Sequence, residues 1–286
     1  MKKFIAVVLL AAMLVGCTPV AGEDVTTEPE RTTSPTTLPT QPPETTRPEE
    51  TTTEPDLPPK VLERFSELLE ENELLVGWIN VPNTVIDYPV VYCEDNEYYL
   101  KHDFWGEDDP DGTIFLTKEA DLLENNQSLS LFGHHRKNGL MFSGLHKFKT
   151  LRFYKETPVF SFDSLYEEAD YKIFSVFYMA GNSSDEYFYY YPKASFKTDE
   201  DFMEHVKQLK NRSIFNLAVD VEAGDQIVLM TCCTYETENL RIVVAGRKVR
   251  EGESAEVDVQ SATVNPSPLY PKKWYDKFGG KAPALD

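Results

Sequence analysis

Apolar and polar positions change rhythm several times along this chain. Residues 4–15 are apolar without a break, and residues 18–58 carry almost no large apolar side chain. Between 60 and 75, Val61, Leu62, Phe65, Leu68 and Leu69 recur at helical spacing, with Glu63, Glu67, Glu70 and Glu71 on the other side. That spacing predicts an amphipathic helix lying on a folded domain. The period then shortens. Runs rich in β-branched and aromatic residues at 76–79, 85–92, 112–116, 128–132, 171–178, 226–233 and 241–249 are separated by turn residues and predict strands. Many short strands with one or two helices point to a mainly β fold closed into a barrel. A second helix is predicted over 199–210, where Asp or Thr caps the start and Phe202, Val206 and Leu209 form one stripe, inserted between two late strands. Residues 251–286 are polar, with Pro, Lys and a few aromatics but no clear period, and read as a loosely ordered extension.

The two ends are set apart from this domain by their own patterns. Lys2 and Lys3 precede the apolar run, which has the layout of a secretory signal and is too short to span a bilayer comfortably. Leu14, Val15, Gly16 and Cys17 also resemble a bacterial lipobox, which makes Cys17 the expected lipidation site and mature N-terminus. Residues 18–58 are mostly Thr, Pro and Glu, so they cannot bury enough surface to fold. Repeated Pro and like charge make them a stiff stalk. The resulting division is a signal at 1–17, a stalk at 18–58, a folded domain at 59–250 and the extension at 251–286. The domain is expected on the outer face of a bacterial membrane, tethered at its N-terminus.

Charge and cysteine usage narrow the function classes. With 28 Lys+Arg against 48 Asp+Glu the formal charge is −20, which argues against a nucleic-acid partner. The four cysteines, at 17, 93, 232 and 233, form no CxxC pair and have no suitably spaced histidine, so no metal site is expected, and no cofactor. Neighbouring Cys232 and Cys233 point to opposite faces of a strand, and a bridge between them would be strained. An exported protein that keeps an unpaired thiol usually keeps it for chemistry. A buried, inert thiol suits Cys93 better than Cys233.

Cysteine nucleophiles need a thiolate, a proton carrier and donors for an oxyanion. Gly133-His134-His135 follows the strand predicted at 128–132 and would set an imidazole at a strand end. The strand at 226–233 ends in the two cysteines, and the next begins at Arg241, eight positions after Cys233. Such a hairpin brings a thiol and a guanidinium to one rim of a sheet, where arginine can stabilise an oxyanion or grip a carbonyl. The plainer alternative is a surface arginine paired with Glu236 or Glu238.

Taken together, these stretches resemble the class B sortases of Gram-positive bacteria over roughly residues 74–250. Val-Gly-Trp-Ile-Asn-Val-Pro-Asn-Thr-Val-Ile-Asp-Tyr-Pro-Val-Val at 76–91 is similar to the start of that barrel. Asp-Asn-Glu-Tyr-Tyr-Leu-Lys-His-Asp-Phe at 95–104 and Gly-Thr-Ile-Phe at 112–115 follow in order, and Phe-Gly-His-His-Arg-Lys-Asn-Gly-Leu-Met-Phe at 132–142 resembles the histidine motif. The cysteine motif usually reads Thr-Leu-Xaa-Thr-Cys. Here Thr231-Cys232 keeps the final pair, whereas Asp225 upstream, Tyr235-Glu236 downstream and Arg241 make Cys233 the nucleophile and Cys232 the substitute for threonine.

The resemblance implies a sortase-type barrel of about eight strands and a cysteine transpeptidase. In it Cys233 attacks, His134 carries the proton, Arg241 clamps, and Asn96, Leu100 and Thr231 line the peptide groove. It also implies two partners, the sorting-motif peptide of a secreted surface protein and an amine of a cell-wall precursor or peptidoglycan. Two other readings are a pilus-type sortase and a surface lipoprotein that keeps the barrel as a binding module with weakened catalysis.

Overall fold

A computed structural model describes residues 60–92, 94–120, 126–181 and 192–281. The signal with Cys17, the stalk, and Cys93 lie outside the described residues. The helix expected at 60–75 is shorter than its apolar stripe. A single 3₁₀ turn, Glu63–Phe65, leads into α1, Ser66–Glu71, and the chain turns extended at Asn72. The Asn72 side-chain amide donates to the Phe104 carbonyl (2.6 Å) and to the Tyr99 hydroxyl (3.2 Å), which ends the helix and starts a strand three residues on. Phe65 is the buried anchor of this segment, packed with Leu75, Val91, Tyr99, Phe104 and Phe115. Burying a phenyl ring in this way contributes roughly 1.5–3 kcal/mol.

The strands and helices that follow are β1 Leu75–Asn80, β2 Asp87–Tyr92, β3 Ile114–Leu116, β4 Ser128–Phe132, α2 Leu151–Glu156, β5 Val159–Ser164 and β6 Asp170–Ala180. They continue as α3 Asp199–Arg212, β7 Phe215–Asn216, β8 Ile227–Cys233, β9 Leu240–Lys248, β10 Thr263–Val264 and α4 Lys272–Phe278. Eight strands close into a barrel in the order β1-β2-β3-β4-β8-β9-β6-β5. β7 and β10 form a separate two-stranded ribbon. The expected mainly β barrel, with an N-terminal helix and a helix inserted between late strands, is the architecture found.

Alternation explains why β6, β8 and β9 read as near-continuous apolar runs. One face fills the barrel with Ile173, Val176, Val228, Met230, Cys232, Ile242 and Val244. The other face, with Phe174, Phe177, Ile227, Leu229, Val243 and Ala245, packs against Phe202, Val206 and Leu209 of α3. A sheet covered on both sides needs apolar residues at every position. α3 starts as its sequence predicts, with the Thr198 hydroxyl accepting from the Asp201 amide at 3.2 Å.

At the far end of β8 from the cysteines, Asp225 accepts two bonds from the Arg250 guanidinium, at 2.8 and 2.7 Å. Arg247, only 1% exposed, is paired with Glu253 and with Asp220 beside it. Asp225 thus marks the register of β8 because it staples the strand's start to the end of β9.

The reading of 251–286 as loosely ordered does not hold for the described part of it. Ala262 and Leu269 are buried, β10 pairs with β7, and Trp274 of α4 stacks against Tyr270 and lies against Tyr178 of β6. Single aromatic and apolar anchors spaced many residues apart carry no period, so the pattern of the tail conceals its packing.

Burial on α3 gives the fold a pH dependence. His205 lies against Phe196, with ring centroids 5.1 Å apart, and desolvation, helped by Lys193 and Arg212, pulls its pKa from 6.5 down to about 4. The unfolded chain therefore binds a proton that the folded chain refuses between these values. Stability is fully present above pH 6.5 and is lost as pH falls from 6.5 towards 4. For one such group, lowering the pH from 7.5 to 5.5 costs on the order of 1 kcal/mol, a fall of about 2–4 °C in Tm. Calorimetry at the two pH values should show at least that drop, and His205→Phe, which keeps the ring contact without the titration, should shrink it by about the His205 share, leaving the part that other buried histidines contribute.

Candidate active site

Two features of the sheet put the candidate residues at one rim. β4 and β8 run parallel with Phe132 opposite Thr231, so the segment after β4 and the end of β8 leave the barrel at the same end. β9 then returns antiparallel, and its Arg241 stands directly opposite Cys233. Because side chains alternate, Cys232 points into the barrel, while Thr231 and Cys233 share the other face.

Burial agrees with that division. Cys232 is 2% exposed, its thiol lies 3.4 Å from the Phe142 carbonyl, and desolvation pushes its pKa far up, so it stays protonated. Cys233 is exposed and unbridged.

Gly133 lets the chain turn closely past the barrel end. A Cβ there would come within 2.9 Å of the Phe142 ring and 3.0 Å of Ile114. The next residue, His134, is half-buried, and its Nε2 lies 2.8 Å from the Leu100 carbonyl. A carbonyl only accepts, so Nε2 carries the hydrogen, and in the neutral ring Nδ1 is the atom available to take up a proton. Leu100 thereby holds the histidine through its backbone as well as walling the cleft. The amide of Phe142 donates to the His134 carbonyl at 2.9 Å and fixes the loop from its other side.

The sequence reading missed the support behind Cys233. His146, in the 3₁₀ segment Phe142–Lys149, approaches the Cys233 carbonyl with its Nε2 at 3.1 Å. Burial lowers its pKa to about 4, so it is neutral near pH 7 and donates through Nε2–H. Its ring lies 3.6 Å from that of His135, centroid to centroid, and Tyr235 packs on His135 at 4.3 Å while donating its hydroxyl to the His135 carbonyl at 2.9 Å. His135 is thus packed between His146 and Tyr235. Nothing in the spacing of His146 distinguished it from a surface histidine.

Among the described residues Arg241 does not take the plainer role of a surface ion-pair partner. Glu236 pairs with Lys149 instead, and the Arg241 guanidinium lies over the Phe132 ring, 5.1 Å from its centroid. Cation–π contact of this kind holds the charge without neutralising it.

Between these elements lies a cleft of about 360 Å³ lined by His134, Cys233 and Arg241 together with Asn96, Leu100 and Thr231. The hydroxyl of Thr231 is buried there and meets no hydrogen-bond partner. Asn96 is engaged within the wall, donating to the Glu119 carboxylate at 3.2 Å and accepting from the Lys118 amide at 2.8 Å.

The closed barrel thus gathers in one cleft an exposed thiol, an imidazole and a guanidinium that has no carboxylate partner among the described residues, the set of groups that acyl transfer by a cysteine would need. The family model described as the Sortase domain matches residues 79–249, and the chain belongs to the sortase family, as a transpeptidase. Sortase B of Listeria monocytogenes is 30% identical over 196 residues, covering 66% of this chain and 76% of the relative. Among solved structures, sortase B of Bacillus anthracis superposes with a TM-score of 0.60 at 31% identity, covering 68% of this chain and 89% of that one. A sortase B–substrate complex from Staphylococcus aureus gives 0.60 at 29% identity, over 66% and 86% of the two chains. These similarities place the chain in class B.

Proposed function

We propose that the protein cleaves a sorting-motif peptide in secreted surface proteins and joins the new carboxyl end to an amine of a cell-wall precursor or peptidoglycan. The observation that carries this reading is the pairing of Cys233 with Arg241 across two strands, beside His134 in one cleft. The Cys233 thiolate attacks the scissile carbonyl, and the oxyanion that forms faces the Arg241 guanidinium. As the tetrahedral centre collapses, His134 gives its proton to the departing amine, and a thioester remains on Cys233. The acceptor amine then attacks the thioester, its proton passes to His134, and the thiolate leaves. Asn96, Leu100 and Thr231 bind the peptide along the wall. A similar protein, Staphylococcus aureus sortase B, has been solved as a complex with a substrate, which supports the reading that this chain binds a sorting peptide.

We further propose that lipidated Cys17 and the stalk tether the enzyme to the outer face of the bacterial membrane. Incubating protein extracted from membranes with a library of sorting-type peptides and amines, followed by intact-mass and peptide mapping, tests both parts. The expected result is an acyl adduct on Cys233, an amine-joined product and a lipid mass on Cys17. An adduct elsewhere, or none, would remove the catalytic assignment, and an unmodified or absent Cys17 would assign a different tether.

A further inference from the structure

The C-terminal extension lies beyond the matched sortase domain, which stops at residue 249, yet its described part reaches back to the catalytic rim. We propose that α4 is a strap that positions the hairpin loop between Cys233 and Arg241, with Lys273 and Lys277 as positioning residues and Trp274 as their anchor. This inference rests on the reading of Cys233 and Arg241 as catalytic groups.

The loop needs such support. Residues 234–239 are Thr-Tyr-Glu-Thr-Glu-Asn, and their one large side chain, Tyr235, is 59% exposed. Thr234 is buried, and Tyr235 and Glu236 are tied to His135 and Lys149, so side chains hold the start of the connection while the exposed stretch at Glu238 and Asn239 opens at low cost. Its carbonyls are instead held from outside: Asn239 accepts from the Gly181 amide at 2.7 Å, Glu238 accepts from the Lys273 ammonium at 3.0 Å, and Glu236 accepts from the Lys277 ammonium. Lys273 and Lys277 are four residues apart and so stand on one helix face. They bring positive charge to a loop that carries Glu236 and Glu238.

A seven-residue helix is not stable alone, so its place must come from packing. Trp274 supplies it. Its ring stacks on Tyr270 (4.3 Å, 10°) and lies 4.8 Å from Tyr178 of β6 and 4.6 Å from Phe278. Upstream, the extension is tied to the end of α3 and the segment after it. The Leu269 amide donates to the Asn211 carbonyl at 3.1 Å, and the Asn265 amide to the Ile214 carbonyl at 2.9 Å. The strap therefore joins a fixed point on the barrel to the loop whose two ends carry the thiol and the guanidinium. Small displacements of reacting groups are costly in rate, so the hold should appear in turnover.

The test uses the full chain and sorting-peptide turnover well below the melting temperature. Replacing both lysines, Lys273→Met with Lys277→Met, is expected to lower kcat about tenfold while KM for the peptide changes by less than about twofold. Lys273→Arg with Lys277→Arg, which keeps a cationic donor at each carbonyl, is expected to return kcat to within about twofold of the parent. Trp274→Ala is expected to match the double Met variant, and Trp274→Phe to lie between it and the parent. An unchanged kcat in the double Met variant, a loss carried wholly by KM, or an Arg pair no better than the Met pair would overturn the strap. Cys233→Ala run alongside separates the two claims, since turnover by that variant would overturn the catalytic reading on which the strap rests.

Discussion

Cys233→Ala is expected to lower transpeptidation by roughly four orders of magnitude or more and to leave no acyl adduct, because Cys233 carries the one exposed thiol among the described residues of the cleft. Its neighbour provides the control. Cys232 lies inside the barrel, with its thiol held protonated by burial and directed to the Phe142 carbonyl. Cys232→Ala should therefore keep kcat within about threefold and cost on the order of 1 kcal/mol of stability from the small cavity left behind. Peptide turnover with intact-mass detection checks the first expectation, and thermal unfolding of the Cys232 variant the second. The opposite result, an active Cys233→Ala and a dead Cys232→Ala, would require the two side chains to exchange faces, a one-residue slip of β8 against both β4 and β9.

That contrast also shows what could be read from the sequence. A strand's two-residue period is a local property, so it was legible that Cys232 and Cys233 face opposite ways. The spacing from Asp225 and to Arg241 was legible too, and the structure supplies its reason: Asp225 staples the start of β8 to Arg250, and Arg241 is the register partner of Cys233. β5 went unnoticed although Phe160 and Phe162 alternate inward, because the segment before it keeps neither a helical nor a strand period. That segment joins the short helix α2 to the 3₁₀ stretch Phe142–Lys149, where Phe142, Leu145 and Phe148 repeat every three residues, as a 3₁₀ helix requires. Contacts between distant parts of the chain were not legible at all. The bond from His146 to the Cys233 carbonyl spans 87 positions, and that from His134 to the Leu100 carbonyl spans 34. Neither leaves a mark on local pattern, since one partner in each is a backbone oxygen that any residue supplies.

The second large effect concerns Arg241, whose guanidinium is held over Phe132 rather than by a carboxylate. An arginine neutralised by Glu236 or Glu238 would offer a developing oxyanion little. Here Lys149 occupies Glu236, and among the described residues no carboxylate takes the guanidinium's charge and donors from the cleft. Arg241→Ala should then lower kcat by about 10²–10³, the range for removing one oxyanion donor. Arg241→Lys, which restores a point charge without the planar fork, should recover only part of that loss. Phe132→Leu tests the platform, since it keeps an apolar wall but removes the ring face, and its expected effect is a smaller fall, about threefold to tenfold. Steady-state kinetics with a sorting peptide separates the two things an arginine can do at this position. A fall in kcat with KM nearly constant places its contribution in the transition state, and that is the expected result for a guanidinium standing opposite Cys233. A fall confined to KM would instead make Arg241 a grip on the ground-state peptide.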